Sequence, residues 1–300
     1  MPATAQPLAH TVPAEKTSLA VYADLFKARL TCLVLLTTLV GFCLGFRGPV
    51  DFWLLCHLLL GTALVASAAS ALNQLLERDC DARMRRTQDR PLPSGRLHPQ
   101  TVLLIGCVFA LFGLIYLAQA VNLTTSLVGA LSLVGYLFVY TPLKRVTWLS
   151  TLVGAVPGAL PPLMGWTAAR GDLSGGGLAL FAIQACWQVP HFMAIAWIYR
   201  AEYARAGFRM LPVVDPEGCR TARLALGFTL ALLPVSACPL LFHLTGPVYL
   251  FGALVLGLGF AWSALQFSRR LTVPHARQLF YASLVYLPLL LVVMVLDKMK

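Results

Sequence analysis

The sequence predicts an all-α integral membrane protein, a bundle of nine transmembrane helices with its N-terminus in the cytoplasm and its C-terminus on the opposite side. Three observations lead there. Hydrophobic residues make up 58% of the 300 residues and charged ones only 12%, about half the charged share of an ordinary soluble domain. Apolar runs of roughly 18 to 22 residues, enough to cross a ~30 Å hydrocarbon core as helices, recur along nearly the whole chain. Finally, 19 of the 23 Lys and Arg fall in the N-terminal segment and in alternate loops, leaving Arg47, Arg170, Lys298 and Lys300 on the other side. Translocation imposes that asymmetry on short loops.

The expected spans follow from this alternation, and none contains Asp, Glu, Lys or Arg. Leu30–Phe46 and Phe52–Leu72 precede a basic loop that begins at Arg78. Thr101–Ala118 and Leu123–Tyr140 precede Lys144 and Arg145. Trp148–Ala168 and Leu178–Tyr199 lead to Arg200, Arg205 and Arg209, Leu224–His243 and Val248–Phe267 lead to Arg269 and Arg270, and Gln278–Leu296 closes the chain. Pro157, Pro161, Pro162, Pro190, Pro234, Pro239 and Pro288 lie inside spans. A bundle tolerates them because neighbouring helices satisfy the freed carbonyls, and kinks are expected there.

The net charge of +11 is therefore a topology signal. A nucleic-acid partner is not expected, because binding one needs a basic soluble face that this chain lacks. The eight cysteines are scattered, without a C-x-x-C pair or zinc-ligand spacing, and read as small apolar core residues. Residues 1–26 form an expected cytoplasmic N-terminal segment with no cleavable signal pattern, and 27–300 a single membrane domain. A bacterial inner membrane is the simplest location.

Charge concentrates in one stretch, NQLLERDCDARMRRTQDRP, Asn73 to Pro91, which holds four acids and five arginines. Ionisable groups near a bilayer are costly, so such a cluster calls for a function. Asn73, Glu77 and Asp81 recur at i, i+4 and i+8, which places their oxygens within one ~80° arc of a helix. Glu77 and Asp81 stand about 6 Å apart along the axis. Magnesium takes one or two carboxylates plus substrate phosphate oxygens, and a sparse Asn/Glu/Asp face suits it. Arg83, Arg85, Arg86 and Arg90 follow directly, with forked donors that match phosphate oxygens. The turn RPLPSGR is expected to hold Arg90 and Arg96 in place. An ordinary solvated loop, its acids and arginines neutralising one another, is the plainer reading of the same residues.

A second polar group follows the sixth span. Gln188 and His191 lie about one turn apart in an apolar segment, and Glu202 comes eleven residues after His191, near the same helical face. Taken alone, a membrane histidine such as His191 is more often a hydrogen-bonded packing residue than a ligand or base. YTPLKRVT ends the fourth span with Lys144 and Arg145, which also read as topology anchors. The loops after spans two, four and six open on one side and are expected to meet around one pocket.

The run from Asn73 to Arg96, N-x3-E-x3-D-x2-M-x-R-T-x2-R-P-L-P-S-G-R, resembles the first signature of the intramembrane aromatic prenyltransferase (UbiA-type) superfamily. Within it, the chain is similar to the protoheme IX farnesyltransferase (heme O synthase) family. YTPLKRVT, GAVPGALPPLMGW (Gly154–Trp166), WQVPHF (Trp187–Phe192) and EYARAGFRMLPVV (Glu202–Val214) resemble that family in order and spacing. Departures are Glu77 and Glu202, where the family usually has Asp, and Lys27-Ala28-Arg29, where it has Lys-Pro-Arg.

The resemblance implies transfer of a farnesyl group from farnesyl diphosphate to a vinyl group of heme B, giving heme O and diphosphate, in a pocket between helices open sideways to the lipid bilayer. It implies Mg2+ held by Asn73, Glu77 and Asp81, and diphosphate held by Arg86, Arg90, Lys144 and Arg145. His191 and Glu202 are candidates for handling water or approaching the heme iron. Lys27, Arg29, Gln188 and Tyr203 are further candidate substrate contacts. A related enzyme prenylating a quinone or chlorophyll precursor, and a transporter, are the alternatives. Contact with heme-handling enzymes or an oxidase assembly is left open.

Overall fold

A computed structural model describes residues 16–299 of the chain. Residues 1–15 of the expected N-terminal segment, and Lys300, lie outside the described residues. The long helices are α1 (Ala28–Gly45), α2 (Phe52–Leu76), α3 (Pro99–Ala120), α4 (Leu123–Val146), α5 (Ser150–Arg170), α6 (Gly175–Ile198), α7 (Cys219–Val235), α8 (Pro247–Arg270) and α9 (Val273–Leu296). Among the described residues there is no strand, only an isolated bridge between Thr245 and Lys298. The all-α membrane class follows from the sequence as expected.

By length and apolarity, eight helices among the described residues can cross a membrane, not the nine expected. The difference is α5, a 21-residue helix that is not among the eight. Three glycines, three prolines and several hydroxyl residues lower its apolarity, and most of its side chains are buried. It is surrounded by protein. Leu160, Leu163, Met164 and Ala168 pack with Phe42, Leu58, Val65 and Leu117 on one side. Ala155 and Trp166 join Met193, Phe260, Phe267 and Tyr286 on the other. Helix α5 therefore ties the two halves of the bundle together.

Helices α1 and α5 approach each other closely. A Cβ at Gly41 would overlap the Pro162 carbonyl oxygen, and one at Gly165 would overlap the Thr38 carbonyl oxygen. Glycines at both crossings let the backbones touch, as is usual where lipid supplies no hydrophobic drive between helices. Outward-facing Phe138 (70% exposed) and Phe251 (72%) are left for lipid.

Two expected boundaries shift. The seventh span, expected over Leu224–His243, is helical over Cys219–Val235 and breaks at Ser236 before a single turn, Cys238–Leu241. Pro239 has no N–H to continue the ladder. Helix α4 runs on past Tyr140 to Val146, through a π-helical stretch at Gly135–Tyr140.

Each membrane face is closed by a specific cation. On one, Lys298 Nζ donates to the Cys43 and Phe46 carbonyls (2.7 and 2.6 Å), satisfying acceptors that the end of α1 leaves free. On the other, Lys16 bridges Asp24 (2.8 Å) and Asp89 (2.7 Å), and Arg96 reaches Asp89 at 2.6 Å. These bonds pin the short helix Ser18–Leu25 and the RPLPSGR turn beside the charged loop.

Candidate functional site

The helical path of α2 persists beyond its last residue. Glu77 N–H donates to Asn73 O at 3.0 Å and Asp81 N–H to Glu77 O at 2.8 Å, leading into the turn Arg78–Asp81. The i, i+4, i+8 spacing therefore holds in space. Asn73, Glu77 and Asp81 are 1%, 4% and 1% exposed, so the solvated-loop reading fails for these three residues.

They line one pocket together with Lys27, Met84, Arg86, Arg90, Tyr136, Tyr140, Lys144, Tyr203, Phe208 and Met210. The loops after α2, α4 and α6 thus converge as expected. Lys144 Nζ donates to Glu77 Oε1 (2.8 Å), Arg90 Nη1 to Asp81 Oδ2 (2.6 Å) and Lys27 Nζ to Asn73 Oδ1 (3.0 Å). Thr141 Oγ1 accepts from Asn73 Nδ2 at 3.1 Å and donates to Tyr136 O at 2.8 Å. Its one proton is spent on the π-helical carbonyl, so it can only accept from the amide, and this fixes the orientation of Asn73. Arg86 Nη2 donates to Tyr203 Oη (3.2 Å), and its guanidinium lies 5.0 Å from the Tyr199 ring centre.

Four cations face two carboxylates here, a surplus that suits an anion. Burial acts to raise the Glu77 carboxyl, but the Lys144 ammonium against it, helped by Lys27, holds it below the ordinary carboxylate value. Lys27 is lowered to about 7, first by burial and then by Arg90 and Lys144. Its backbone is left-handed, φ +47°, which breaks the chain between the Ser18–Leu25 helix and α1 without a proline at position 28.

The buried Asp81 Oδ1 has no hydrogen-bond partner. An orphaned carboxylate oxygen beside Glu77 and an amide oxygen fits a hard divalent cation. No cluster of three His, Cys, Asp or Glu exists among the described residues. The donor set is therefore an open one that a phosphate would complete, not a closed cage.

Several expected members are elsewhere. Arg145 is exposed and caps α2 through Leu76 O (3.1 Å), and Arg29 is exposed outside the pocket. Gln188 is buried against Gly158. Glu202 accepts from the Arg86 backbone N–H at 3.2 Å. The shared helical face expected for His191 and Glu202 does not form, because α6 ends at Ile198 and the chain turns at Tyr199. His191 instead packs against α9, with Nδ1 2.7 Å from Ser283 Oγ. Tyr136 and Tyr140, with Lys144 Nζ 4.4 Å from the Tyr140 ring centre, were not anticipated; their four-residue spacing ahead of Lys144 was the available signal.

The pocket encloses only about 90 Å³, below the ~300 Å³ at which small-molecule sites begin. The pocket at the acids, lined by paired charges and two tyrosine rings, is thus smaller than the roomy lipid-facing one expected. A larger cavity of about 730 Å³ lies between α8 and α9 and shares no lining residue with it.

The sequence pattern of the UbiA prenyltransferase family matches residues 34–287. A protoheme IX farnesyltransferase of Solibacter usitatus is 45% identical, over 92% of this chain and 98% of its own. Another, of Koribacter versatilis, is 43% identical over 99% of both. Among solved structures, a digeranylgeranylglyceryl phosphate synthase superposes with a TM-score of 0.79 at 13% identity, over 93% of this chain and 98% of its own. A UbiA homolog from Archaeoglobus fulgidus bound to DMAPP and Mg2+ gives 0.64 at 17%, over 91% and 98%. These two likenesses establish the shared fold.

Proposed function

The chain belongs to the UbiA prenyltransferase family, and on that premise we propose that it transfers the farnesyl group of farnesyl diphosphate to a vinyl group of heme B, giving heme O and diphosphate. The observation that carries this reading is the buried pocket in which Asn73, Glu77 and Asp81 meet Lys27, Arg86, Arg90 and Lys144, in a chain whose full-length relatives are protoheme IX farnesyltransferases.

In the reaction the C1–O bond of farnesyl diphosphate breaks and the electron pair leaves with diphosphate. The terminal vinyl carbon bonds to C1, and the positive charge moves to the carbon beside the porphyrin ring. Water adds its oxygen there and releases a proton. Lys144 and Arg90, now paired with Glu77 and Asp81, exchange those partners for diphosphate oxygens. Arg86 adds a forked donor at the mouth. The exchange opens the small pocket and frees the Glu77 and Asp81 carboxylates, which together with Asn73 would hold magnesium. Bound there, the metal would supply positive charge against the leaving group.

Tyr136 and Tyr140 line the pocket and supply aromatic rings that can stabilise the allylic cation, and the apolar bundle keeps bulk water from it. Tyr203 orients Arg86, and Glu202 fixes the Arg86 backbone. Residues 27–300 act as one membrane unit in a bacterial inner membrane, with the pocket at the cytoplasmic face; the 19-to-4 distribution of basic residues supports that orientation.

The test is expression in membranes, addition of farnesyl diphosphate, magnesium and heme B, and mass analysis of the extracted hemes. Heme O is the expected product. Prenylation of 4-hydroxybenzoate with heme B untouched would overturn the assignment.

A further inference from the structure

His191 lies on α6, eight residues before Tyr199, or about 12 Å along the axis from the ring beneath Arg86. Its imidazole is held between aromatic rings, with centroids 4.8 Å from Trp187 and 5.1 Å from Phe280. Nδ1 is 2.7 Å from Ser283 Oγ, and the same Oγ is 2.6 Å from the Phe280 carbonyl oxygen. The Trp187 indole N–H donates to Ser283 O at 2.8 Å, and Ser283 is fully buried at 0% exposure.

The hydroxyl has one proton and two neighbours. A carbonyl has none to give, so if the proton pointed at Nδ1, two sets of oxygen lone pairs would face each other at 2.6 Å. The proton therefore goes to Phe280 O, and His191 donates Nδ1–H to Ser283. A neutral imidazole protonated at Nδ1 keeps its in-plane lone pair on Nε2. That nitrogen has no hydrogen-bond partner among the described residues, and the ring is only partly buried.

A proton-accepting role for Nε2 would call for a carboxylate to stabilise the imidazolium. The rings against His191 are Trp187, Phe192 and Phe280, and Glu202 is engaged at Arg86. A ligating role calls for what is present, a neutral ring whose other N–H is given to a fixed acceptor. We infer that His191 Nε2 is an axial ligand to the iron of the heme acceptor, and that Ser283 is the positioning residue that fixes its tautomer and ring plane. This rests on the heme reading above and deepens it.

The experiment titrates the full-length protein in nanodiscs with heme B and records absorption and electron paramagnetic resonance spectra. The parent is expected to give an imidazole-ligated spectrum. His191→Ala loses it, and added imidazole restores it. Ser283→Ala weakens heme B affinity by about 10- to 100-fold, as loss of an outer-shell partner does, while Ser283→Thr stays near the parent. Equal melting temperatures for parent and variants exclude unfolding as the cause, and a variant that melts early is judged on imidazole rescue. An unchanged iron spectrum in His191→Ala, with heme O still formed by the parent, overturns the inference and leaves the function standing. Failure of the parent to bind heme B or to form heme O overturns the function itself.

Discussion

Lys144 Nζ donates to Glu77 Oε1 across 2.8 Å, with the two side chains 13% and 5% exposed. The bond joins the end of α4 to the end of α2 and forms one wall of the pocket. Removing one partner of a buried pair strands the other charge, at a cost of about 3–5 kcal/mol, whereas replacing both with apolar groups is often near neutral. Lys144→Met should therefore lower stability by that order, and Lys144→Met combined with Glu77→Leu should recover much of it. Unfolding in detergent measures both; strictly additive losses would show that the pair is not coupled. Farnesyl transfer should be absent from both variants.

Asp81 separates metal from arginine. Oδ2 is taken by Arg90 and Oδ1 has no partner. Asp81→Asn keeps the shape but removes the charge, and should reduce turnover by about 100-fold or more while abolishing its magnesium dependence. Arg90→Ala should instead raise KM for farnesyl diphosphate and leave the dependence in place. Magnesium titrations of initial rate distinguish the two, and an Asp81→Asn enzyme with the parent's magnesium curve would remove this residue from the metal site.

Lys27 makes anion binding depend on pH. Its amine is lowered to about 7 in the substrate-free pocket, by burial and by Arg90 and Lys144. Below that pH it is already an ammonium and adds attraction for an anion. Above it, the amine is neutral and must take up a proton to gain that attraction, so affinity falls as pH rises. The fall is up to about tenfold per unit, since one unit corresponds to 1.36 kcal/mol. Calorimetry with inorganic diphosphate in two buffers of different ionisation enthalpy counts the proton. Lys27→Met should remove it, and because free diphosphate titrates identically in both experiments, equal uptake by parent and variant would assign the proton elsewhere.

The bundle and the first acidic face were legible because each rests on a local rule. Apolar length sets the spans, and a four-residue period carries Asn73, Glu77 and Asp81 along one path even beyond the end of α2 at Leu76. His191 and Glu202 defeated the same reasoning, since a periodicity argument assumes one continuous helix and the chain turns at Tyr199. Arg145 and Lys144 are neighbours in sequence, yet one points into the pocket and the other caps a helix end. Successive helical residues diverge by about 100°, and only tertiary packing says which of them faces inward. The Ser283 contact was out of reach, because nothing local links positions 92 residues apart.

The motif GAVPGALPPLMGW has a packing role that its match to a family does not explain. At Gly165 a methyl group would meet the Thr38 carbonyl oxygen, and at Gly41 the Pro162 carbonyl oxygen. Both obstacles are backbone, so the helices themselves would have to separate. Gly165→Ala and Gly41→Ala should each destabilise the protein by about 1–3 kcal/mol or more, the usual penalty for overpacking. Gly227 in α7 and Gly259 in α8 supply the control, because nothing lies within 4 Å of a Cβ at either position. There Gly→Ala should be neutral or mildly stabilising, by up to about 1 kcal/mol from helix propensity. Melting in detergent, followed by tryptophan fluorescence, compares the four variants. Because α1 begins directly after Lys27, separation of α1 from α5 should also weaken diphosphate binding in the first two variants and not in the second two. If Gly165→Ala melted with the parent while the controls behaved as stated, the α1–α5 crossing would not be the contact that holds the halves of the bundle together.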